Sequence, residues 1–402
     1  MRIAFVGLGA MGLPIAERLA ETGVAELSLF DQQEDRRALA RGLGSVTETL
    51  AAAVDGSDVI ITVLPADRHV EAVSRDLLER ARPGQLFADL STIAPGTIEH
   101  IAGLFEPVGV QTVSVALTRG AAAARAGQLA LFVGVRGEVP APLRPVLAAM
   151  SNEIRYASTL GAAKALKVAN NMVMCLLDIA VCDALVLGDR FGLSPAAVVE
   201  ALPGHGADSW VLRNHVAKNV LGGDLGPGHF STRNMLKDVK LYQQLAAEAR
   251  VPGFLPAIAA SCYRGVIAAG HAEDYHPIVV EWLRQSAVTA APRRRGDSAT
   301  LAVLGRAVEA IATLANLDAL AVLRRNGVEP AEAAAHLATA SAGNQSLPVA
   351  AAWLGGDHAA LDPSAPRSAL EAVLELADAA DYPALLPETA LAVARQLEES
   401  VP

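Results

Sequence analysis

Three glycines near the N-terminus have the spacing of a nucleotide-binding turn. Gly7, Gly9 and Gly12 follow the apolar run Ile3–Val6 and precede a segment with apolar residues at helical spacing. At such a strand-to-helix turn the first glycine permits the tight bend, and the second lets the backbone approach a pyrophosphate. The third lets the helix pack on the strand. The helix N-terminus then offers free N–H groups to phosphates. The spacing therefore predicts a dinucleotide site.

An acidic residue follows at the distance such a site requires. Asp31 lies nineteen residues after Gly12, at the end of the second predicted strand. A carboxylate there accepts hydrogen bonds from the adenosine ribose and repels a 2′-phosphate, which favours NAD over NADP. Arg36 and Arg37 keep NADP open, because either could reach a phosphate if the loop folds back.

A lysine and an asparagine share one face of a predicted long helix. Lys167 and Asn171 are four residues apart in a segment, 163–191, that is rich in Ala, Val and Met. Hydride transfer at a carbonyl requires a proton at the oxygen, and a lysine supplies or removes it if burial lowers its pKa. The amide of Asn171 can bond the reacting hydroxyl or carbonyl. An exposed helix face with no chemistry is the alternative for this pair.

The elements around these residues divide the chain into three parts. Over residues 1–158, short apolar runs alternate with helical patterns, which predicts an α/β fold with a Rossmann-type doubly wound parallel sheet. Residues 159–290 predict an all-α domain, and residues 298–402 a second all-α domain. A linker over 291–297, which contains Arg293–Arg295, separates the two. The predicted strands are Ile3–Val6, Leu27–Phe30, Val59–Leu64, Leu86–Leu90, Gln111–Val115, Leu129–Val133 and Ile154–Ala157.

The third part resembles a copy of the second. The segment Asp183–Pro195 aligns with Asp318–Pro330, 135 positions later, at six of thirteen identical residues. The corner Pro252–Pro256 matches Pro383–Pro387 further on. A chance match between two Ala- and Leu-rich helical stretches is the alternative. The shared order of Gly, Pro and the corner favours duplication.

Composition narrows the possible partners. The net charge of −10 argues against nucleic acid, since phosphate binding needs a basic surface. Cys175, Cys182 and Cys262 have no CxxC spacing, which indicates reduced core thiols in a cytoplasmic protein. No signal peptide precedes the first strand, and no charge-free apolar run of about 18 residues predicts a membrane span. The nine histidines form no metal motif, so we expect no metal.

Four motifs in order resemble the β-hydroxyacid dehydrogenase family, which includes 3-hydroxyisobutyrate dehydrogenase, tartronate semialdehyde reductase and, more distantly, 6-phosphogluconate dehydrogenase. The resemblance covers residues 1–290. Its motifs are the Gly-Leu-Gly-x-Met-Gly of residues 7–12, Asp-Leu-Ser-Thr at 89–92, Lys-Val-Ala-Asn-Asn at 167–171, and Lys237-Asp238 after Phe230.

The resemblance implies roles for particular residues. It makes Lys167 the general acid/base and Asn171 its partner. It places Phe230 at the substrate and has Lys237 and Asp238 line or brace the same pocket. From the sequence alone, an exposed ion pair in a helix explains Lys237 and Asp238 equally well. The residues it implies at the cofactor are Gly7, Gly9, Met11, Gly12, Asp31, Leu64, Pro65, Ser91 and Thr92.

The sequence departs from the family in the substrate loop. The usual Asp-Ala-Pro-Val-Ser-Gly-Gly aligns here with residues 114–120, in which Ser114 and Ala116 replace Asp and Pro. Thr118 keeps a hydroxyl for the substrate carboxylate, and Gly120 is retained. Arg119 replaces a glycine with a charged fork suited to oxyanions, as in sulfolactaldehyde reductase, unless it points to solvent.

The predicted function is hydride transfer between NAD, with NADP possible, and a small anionic β-hydroxyacid or its semialdehyde. An imine reductase of the same architecture is one alternative, although that group usually lacks the lysine. A catalytically silent NAD-binding scaffold is the other.

The third part lacks the chemistry of the second. The counterparts of Lys167 and Asn171 are Ala302 and Arg306, and those of Lys237 and Asp238 are Ser368 and Ala369. Short members of the family interlock the helical domains of two subunits. The degenerate copy predicts the same packing within one chain, with one active site per chain, as a monomer or a homodimer.

Overall fold

The structure is a computed structural model that describes residues 1–286 and 295–399. The chain divides into two compact units: residues 1–167 with 326–328, and residues 168–325 with 329–402. The predicted linker, including Arg293 and Arg294, lies mostly outside the described residues. The division into three domains at 1–158, 159–290 and 298–402 stays a prediction.

An eight-stranded sheet forms the centre of the first unit. Its strands are β1 (Arg2–Val6), β2 (Glu26–Phe30), β3 (Ser45–Val46), β4 (Val59–Thr62), β5 (Leu86–Asp89), β6 (Gln111–Thr118), β7 (Leu129–Val135) and β8 (Ser151–Ala157). The spatial order is β3-β2-β1-β4-β5-β6-β7-β8, and only β6 and β7 pair antiparallel. The predicted α/β class and mainly parallel sheet are confirmed.

Helices cover this sheet on both faces. They are α1 (Gly12–Thr22), α2 (Glu34–Leu39), α3 (Leu50–Val54), α4 (Asp67–Leu78), α5 (Pro95–Phe105), α6 (Gly120–Arg125) and α7 (Arg144–Met150). The central strands β1, β4 and β5, and also β7, are largely apolar runs because both of their faces are buried, whereas the edge strands β3 and β8 are more polar and more exposed. All seven predicted strands are present. The two-residue β3 was not predicted, because it is too short to show a pattern.

One long helix, α8 (Leu160–Arg190), carries the predicted catalytic residues. It begins three residues before the predicted start and ends one residue before the predicted end. Gly192 follows with φ 68°, and the Ser194 hydroxyl accepts a hydrogen bond from Ala197 N, so that α9 (Pro195–Ala201) begins as predicted.

In its described residues, the second unit is built from helices and has no β-strand. After α9 come α10 (Thr232–Glu248), α11 (Phe254–Ala268), α12 (Val279–Ser286), α13 (Ser298–Arg325), α14 (Pro330–Ala338), α15 (Leu347–Leu354), α16 (Ser364–Ala379) and α17 (Leu385–Glu399). A π-helical segment spans Leu212–Val220. The three cysteines are free and buried, as predicted.

The two helical sets share a junction. Each long helix, α8 or α13, is followed by a left-handed glycine, Gly192 or Gly327, the latter with φ 78°. Each next helix then begins at a proline, Pro195 or Pro330. The duplication stays a hypothesis, and this junction supports it.

Two helices pass the length and composition test for a membrane span, although the sequence predicted none. They are α8 and α13, whose most apolar 18-residue windows are 100% and 61% buried inside the structure. Protein therefore covers most of their apolar surface, as it does for core helices of globular proteins.

Candidate active site

The glycine turn between β1 and α1 has no room for side chains at two positions. Gly7 has φ 100°, and a Cβ there would lie 2.3 Å from the Val63 carbonyl oxygen. A Cβ on Gly12 would lie 1.9 Å from the Gly7 carbonyl oxygen. A Cβ on Gly9 would meet nothing within 4 Å, so the turn is open at Gly9. Backbone can approach a ligand there, which is the geometry a pyrophosphate requires.

Asp31, at the end of β2, holds the glycine turn in place. Its Oδ2 accepts a hydrogen bond of 2.7 Å from Leu8 N, and its Oδ1 accepts one of 2.8 Å from Gln33 N. Arg37 donates to the Asp31 and Gln32 carbonyl oxygens at 2.7 and 3.1 Å. Arg37 therefore braces the loop after β2, while the carboxylate lies beside the nucleotide turn as predicted.

The loops after β4 and β5 are tied to each other. Leu64 N donates to the Ser91 hydroxyl at 2.8 Å, and Thr62 donates to Asp89 Oδ1 at 2.7 Å. The predicted cofactor residues Leu64, Pro65, Ser91 and Thr92 thus follow neighbouring strand ends, at the carboxyl edge where α/β sheets bind ligands. Met11 directly precedes α1, at its N-cap position, and makes no side-chain hydrogen bond to the helix.

Sequence reasoning missed a buried lysine, Lys164. Its ammonium lies 2.8 Å from Asp89 Oδ2 and donates to the carbonyl oxygens of Asp89, Ser91 and Val115 at 2.9, 2.8 and 3.1 Å. Burial lowers the pKa of Lys164, and Asp89 opposes that shift. Lys164 joins the start of α8 to β5 and β6. The sequence did contain a signal for this pair. Lys164 is a charged residue in the Ala- and Leu-rich start of a helix, and Asp89 ends a strand.

The desolvation expected at Lys167 is found at Lys164 instead. Lys164 is fully buried, whereas Lys167 is half-buried.

Three predicted site residues meet in the second unit. Asn171, four residues after Lys167 on α8, donates from Nδ2 to Asp238 Oδ2 at 2.5 Å. Asp238, on α10, also lies 2.8 Å from the Lys237 ammonium, whose side chain is 30% exposed. Phe230 precedes α10, and its ring packs edge-on against His276, with centroids 5.8 Å apart. A buried amide, a carboxylate and a solvent-accessible ammonium therefore lie in contact.

In the substrate loop, Arg119 is paired with other residues of the first unit. Arg119 has φ 81°, and its guanidinium lies 2.5 Å from Glu153 Oε2. It also donates to Gln128 O and Asn152 Oδ1, each at 3.2 Å. These contacts within the first unit neutralise the charge and account for the arginine without a substrate. The oxyanion role of Arg119 stays a prediction, and in it the substrate would compete with Glu153 for the guanidinium.

The other two loop residues lie at the end of β6. Thr118 is 2% exposed, and its hydroxyl is 3.5 Å from the Ala130 carbonyl oxygen, the limit of a hydrogen bond. Gly120 begins α6 with φ 78°. Their roles in substrate binding stay predictions.

One aspartate and two histidines form a buried cluster, the group among the described residues whose side chains are close enough together to bind a metal. Asp178 Oδ1 lies 2.9 Å from His215 Nδ1, and Asp178 Oδ2 lies 3.3 Å from His276 Nδ1. The group has three members, so a zinc ion would lack a fourth protein ligand and leave a net positive charge buried. Burial raises the pKa of Asp178 while His215 lowers it, and burial lowers the pKa of His276. A hydrogen-bonded Asp178–His215 pair beside the buried His276 accounts for this geometry without a metal.

Comparison with known proteins identifies the family. Residues 2–160 match the NAD binding domain of 6-phosphogluconate dehydrogenase, and residues 161–283 match the NAD-binding region of NADP-dependent 3-hydroxyisobutyrate dehydrogenase. An NAD-dependent L-serine dehydrogenase of Pseudomonas aeruginosa is 32% identical over 287 residues, which are 69% of this chain and 96% of that protein. The chain belongs to the β-hydroxyacid dehydrogenase family.

The chain is also similar to other dehydrogenases of hydroxyacids. The structure of Mycobacterium tuberculosis 3-hydroxyisobutyrate dehydrogenase with L-serine has a TM-score of 0.66 and 32% identity, over 70% of this chain and 99% of that one. A 2-(hydroxymethyl)glutarate dehydrogenase of Eubacterium barkeri is 29% identical, over 72% and 97% of the two chains. The predicted oxidoreductase class and NAD(P) cofactor are confirmed. Neither family model extends beyond residue 283.

Proposed function

We propose that this β-hydroxyacid dehydrogenase oxidises a small hydroxyacid, of the size of L-serine or 3-hydroxyisobutyrate, with NAD, and catalyses the reverse reduction. The observation that carries the proposal is the fixed amide of Asn171, held by Asp238 one helical turn after Lys167. The names of the family members support the substrate class.

The first unit fits a nicotinamide dinucleotide. Gly9 leaves the turn open, and the Asp31 carboxylate at the end of β2 favours the unphosphorylated ribose of NAD. When bound, the nicotinamide accepts a hydride in oxidation and returns it in reduction.

Lys167 is the proposed general acid/base. In oxidation, the substrate carbon loses a hydride while its hydroxyl proton passes to the neutral amine of Lys167, so that the C–O bond becomes a carbonyl. In reduction, the ammonium returns that proton. Asn171, on the same helix face, orients the reacting oxygen.

Lys237 is the proposed partner of the substrate carboxylate. Its ammonium reaches solvent, and Asp238 holds it 2.8 Å away. Asp238 thus contacts, and positions, both Lys237 and Asn171.

Turnover of hydroxyacids tests the proposal. NAD reduction is followed at 340 nm with L-serine, 3-hydroxyisobutyrate, 2-(hydroxymethyl)glutarate and a neutral alcohol of similar size. Lys167→Met lowers kcat by about 10²–10⁴ if it removes the acid/base, while the Kd for NADH stays unchanged. Lys240→Met, an exposed lysine of α10, is the matched control.

The alternatives give different results in the same assay. NADH oxidation with cyclic imines, but not with semialdehydes, would identify an imine reductase. NADH binding without any turnover would identify a silent scaffold. Wild-type kcat in Lys167→Met would refute the acid/base assignment.

We also propose that the second helical set replaces a partner subunit, so that the protein is a cytoplasmic monomer. Asp183 accepts a hydrogen bond from the Tyr382 hydroxyl, and its aligned counterpart Asp318 accepts one from the Tyr242 hydroxyl. Each set thus supplies the tyrosine for the other set's buried aspartate. Light scattering tests the monomer directly. A chain truncated near residue 296 should aggregate or dimerise, and a soluble, active monomer would contradict the idea.

A further inference from the structure

Asn170, the neighbour of Asn171 on α8, is fully buried and bonded at each polar atom of its amide. Its Oδ1 accepts a hydrogen bond of 2.9 Å from Ala342 N. Its Nδ2 donates to the Ser341 hydroxyl at 2.8 Å and to Asn171 Oδ1 at 3.1 Å. Ser341 and Ala342 lie between α14 and α15, far outside the family models. A C-terminal segment therefore contacts the neighbour of a proposed active-site residue.

These bonds fix which way each amide points. A backbone N–H can only donate, so the Asn170 atom that faces Ala342 must be the oxygen. The Asn170 nitrogen then faces Asn171, and Asn171 must present its own oxygen to it. The Asn171 nitrogen is consequently directed at the Asp238 carboxylate, 2.5 Å away. The chain of bonds ends beside the Lys237 ammonium.

The segment that begins at Ser341 is itself firmly held. Gly343 O accepts a hydrogen bond of 2.8 Å from Trp210 N, and Gln345 N donates to Asp208 O at 3.1 Å. The Asn344 amide donates to the Ala342 carbonyl oxygen at 2.8 Å. Ser341 is 4% exposed. Because the Ser341 segment is bonded on several sides, it has little freedom to move with the Asn170 amide. The segment can therefore fix the orientation of that amide.

We propose that Ser341 and Ala342 form a positioning clamp that fixes the active-site amide of Asn171 through Asn170. The clamp gives residues 298–402 a part in the reaction although they carry no acid/base group of their own. Asn170 and Ser341 are positioning residues, since they act through Asn171. The inference rests on the role of Asn171 in the proposed function.

Ser341→Ala is the direct test. It removes the acceptor for one Asn170 N–H, which lets that amide rotate. We expect kcat to fall roughly three- to tenfold, the effect of one lost hydrogen bond, with a larger primary deuterium isotope effect on hydride transfer. The Kd for NADH should stay unchanged. Thr300→Val is the matched control, because Thr300 is also 4% exposed and bonds Asp297 instead.

A double-mutant cycle separates positioning from general destabilisation. In an Asn171→Ala background, Ser341→Ala should cause no further loss of kcat, because the residue through which it acts is gone. A second cycle, Ser341→Ala with Asn170→Ala, measures by urea unfolding whether the two side chains are coupled. This second cycle needs no activity.

The outcomes distinguish the two proposals. Wild-type kcat in Ser341→Ala, or an equal loss of kcat with and without Asn171, overturns the clamp and leaves the proposed function intact. Absence of coupling between Ser341 and Asn170 also overturns the clamp. A wild-type protein that turns over no hydroxyacid overturns both.

Discussion

Replacing Lys164 with methionine should destabilise the first unit far more than any exposed lysine can. The change keeps the length of the side chain but leaves the Asp89 carboxylate, which is 0% exposed, without its cation. Breaking a buried ion pair by removing one partner costs about 3–5 kcal/mol. Three backbone carbonyl oxygens lose a donor at the same time. We do not add a separate cost for them, because losses at one site are not additive.

Urea unfolding measures this loss. With a slope of about 2–3 kcal/mol per molar urea, the predicted loss moves the midpoint of the first unit down by about 1–2.5 M. Far-UV circular dichroism follows both units, whereas tryptophan fluorescence reports on the second unit, because Trp210, Trp282 and Trp353 all lie there. Hydrogen exchange over β5 and β6 should localise the loss to the strands that Lys164 contacts.

Two further variants test whether the loss comes from the buried Lys164–Asp89 ion pair. Lys240→Met, at an exposed position, should unfold within about 0.5 kcal/mol of wild type. Adding Asp89→Asn to Lys164→Met should restore part of the stability, because it removes the unpaired buried charge. The prediction is wrong if Lys164→Met has the same urea midpoint as Lys240→Met. It is also wrong if the double variant Lys164→Met/Asp89→Asn is no more stable than Lys164→Met alone.

Four other outcomes follow from the same structure. The wild type should prefer NADH, and Asp31→Ser should narrow its advantage; a tenfold preference for NADPH, about 1.4 kcal/mol, would contradict the role of Asp31. Arg119→Ala should cost about 0–1 kcal/mol of stability, as a partly exposed ion pair with Glu153 does, and should change KM equally for charged and neutral substrates; a selective loss for anions would support the oxyanion role. Burial raises the pKa of both Asp183 and Asp318 to about 7, against their tyrosine hydrogen bonds. The folded state therefore holds these protons more tightly than the unfolded state, and their contribution to stability falls as pH rises from about 4 to about 7. In the Asp183→Asn and Asp318→Asn variants, the free energy of unfolding should fall less over that pH range than in the wild type. Prolonged dialysis against a chelator should leave the melting temperature and activity unchanged, and a stoichiometric zinc content would contradict the metal-free account of the aspartate–histidine cluster.

Local signals predicted the first unit well because they depend on neighbouring residues. The glycine turn, the strands and Asp31 are each specified within about thirty positions, where period and turn chemistry act directly. The pairing of Arg119 with Glu153 could not be predicted in this way, since it depends on where β8 lies. The burial of Lys164 is similar: its partner Asp89 is 75 positions earlier, and helix periodicity does not say which of two nearby lysines faces the sheet.

If the second helical set arose by duplication, its hydrogen bonds to the first set explain why it is kept without catalytic residues of its own. Its counterparts of Lys167 and Asn171 are Ala302 and Arg306, so it cannot catalyse the reaction on its own. Yet Asp183 in the first set accepts its hydrogen bond from Tyr382, while Asn170 donates one bond to Ser341 and accepts one from Ala342, 171 and 172 positions away. A buried polar group that loses its partner costs about 1–3 kcal/mol, so each such bond penalises loss of the copy. These partners bond to the helix that bears Asn171, so we expect residues 298–402 to be needed for the geometry of the proposed site as well as for burial.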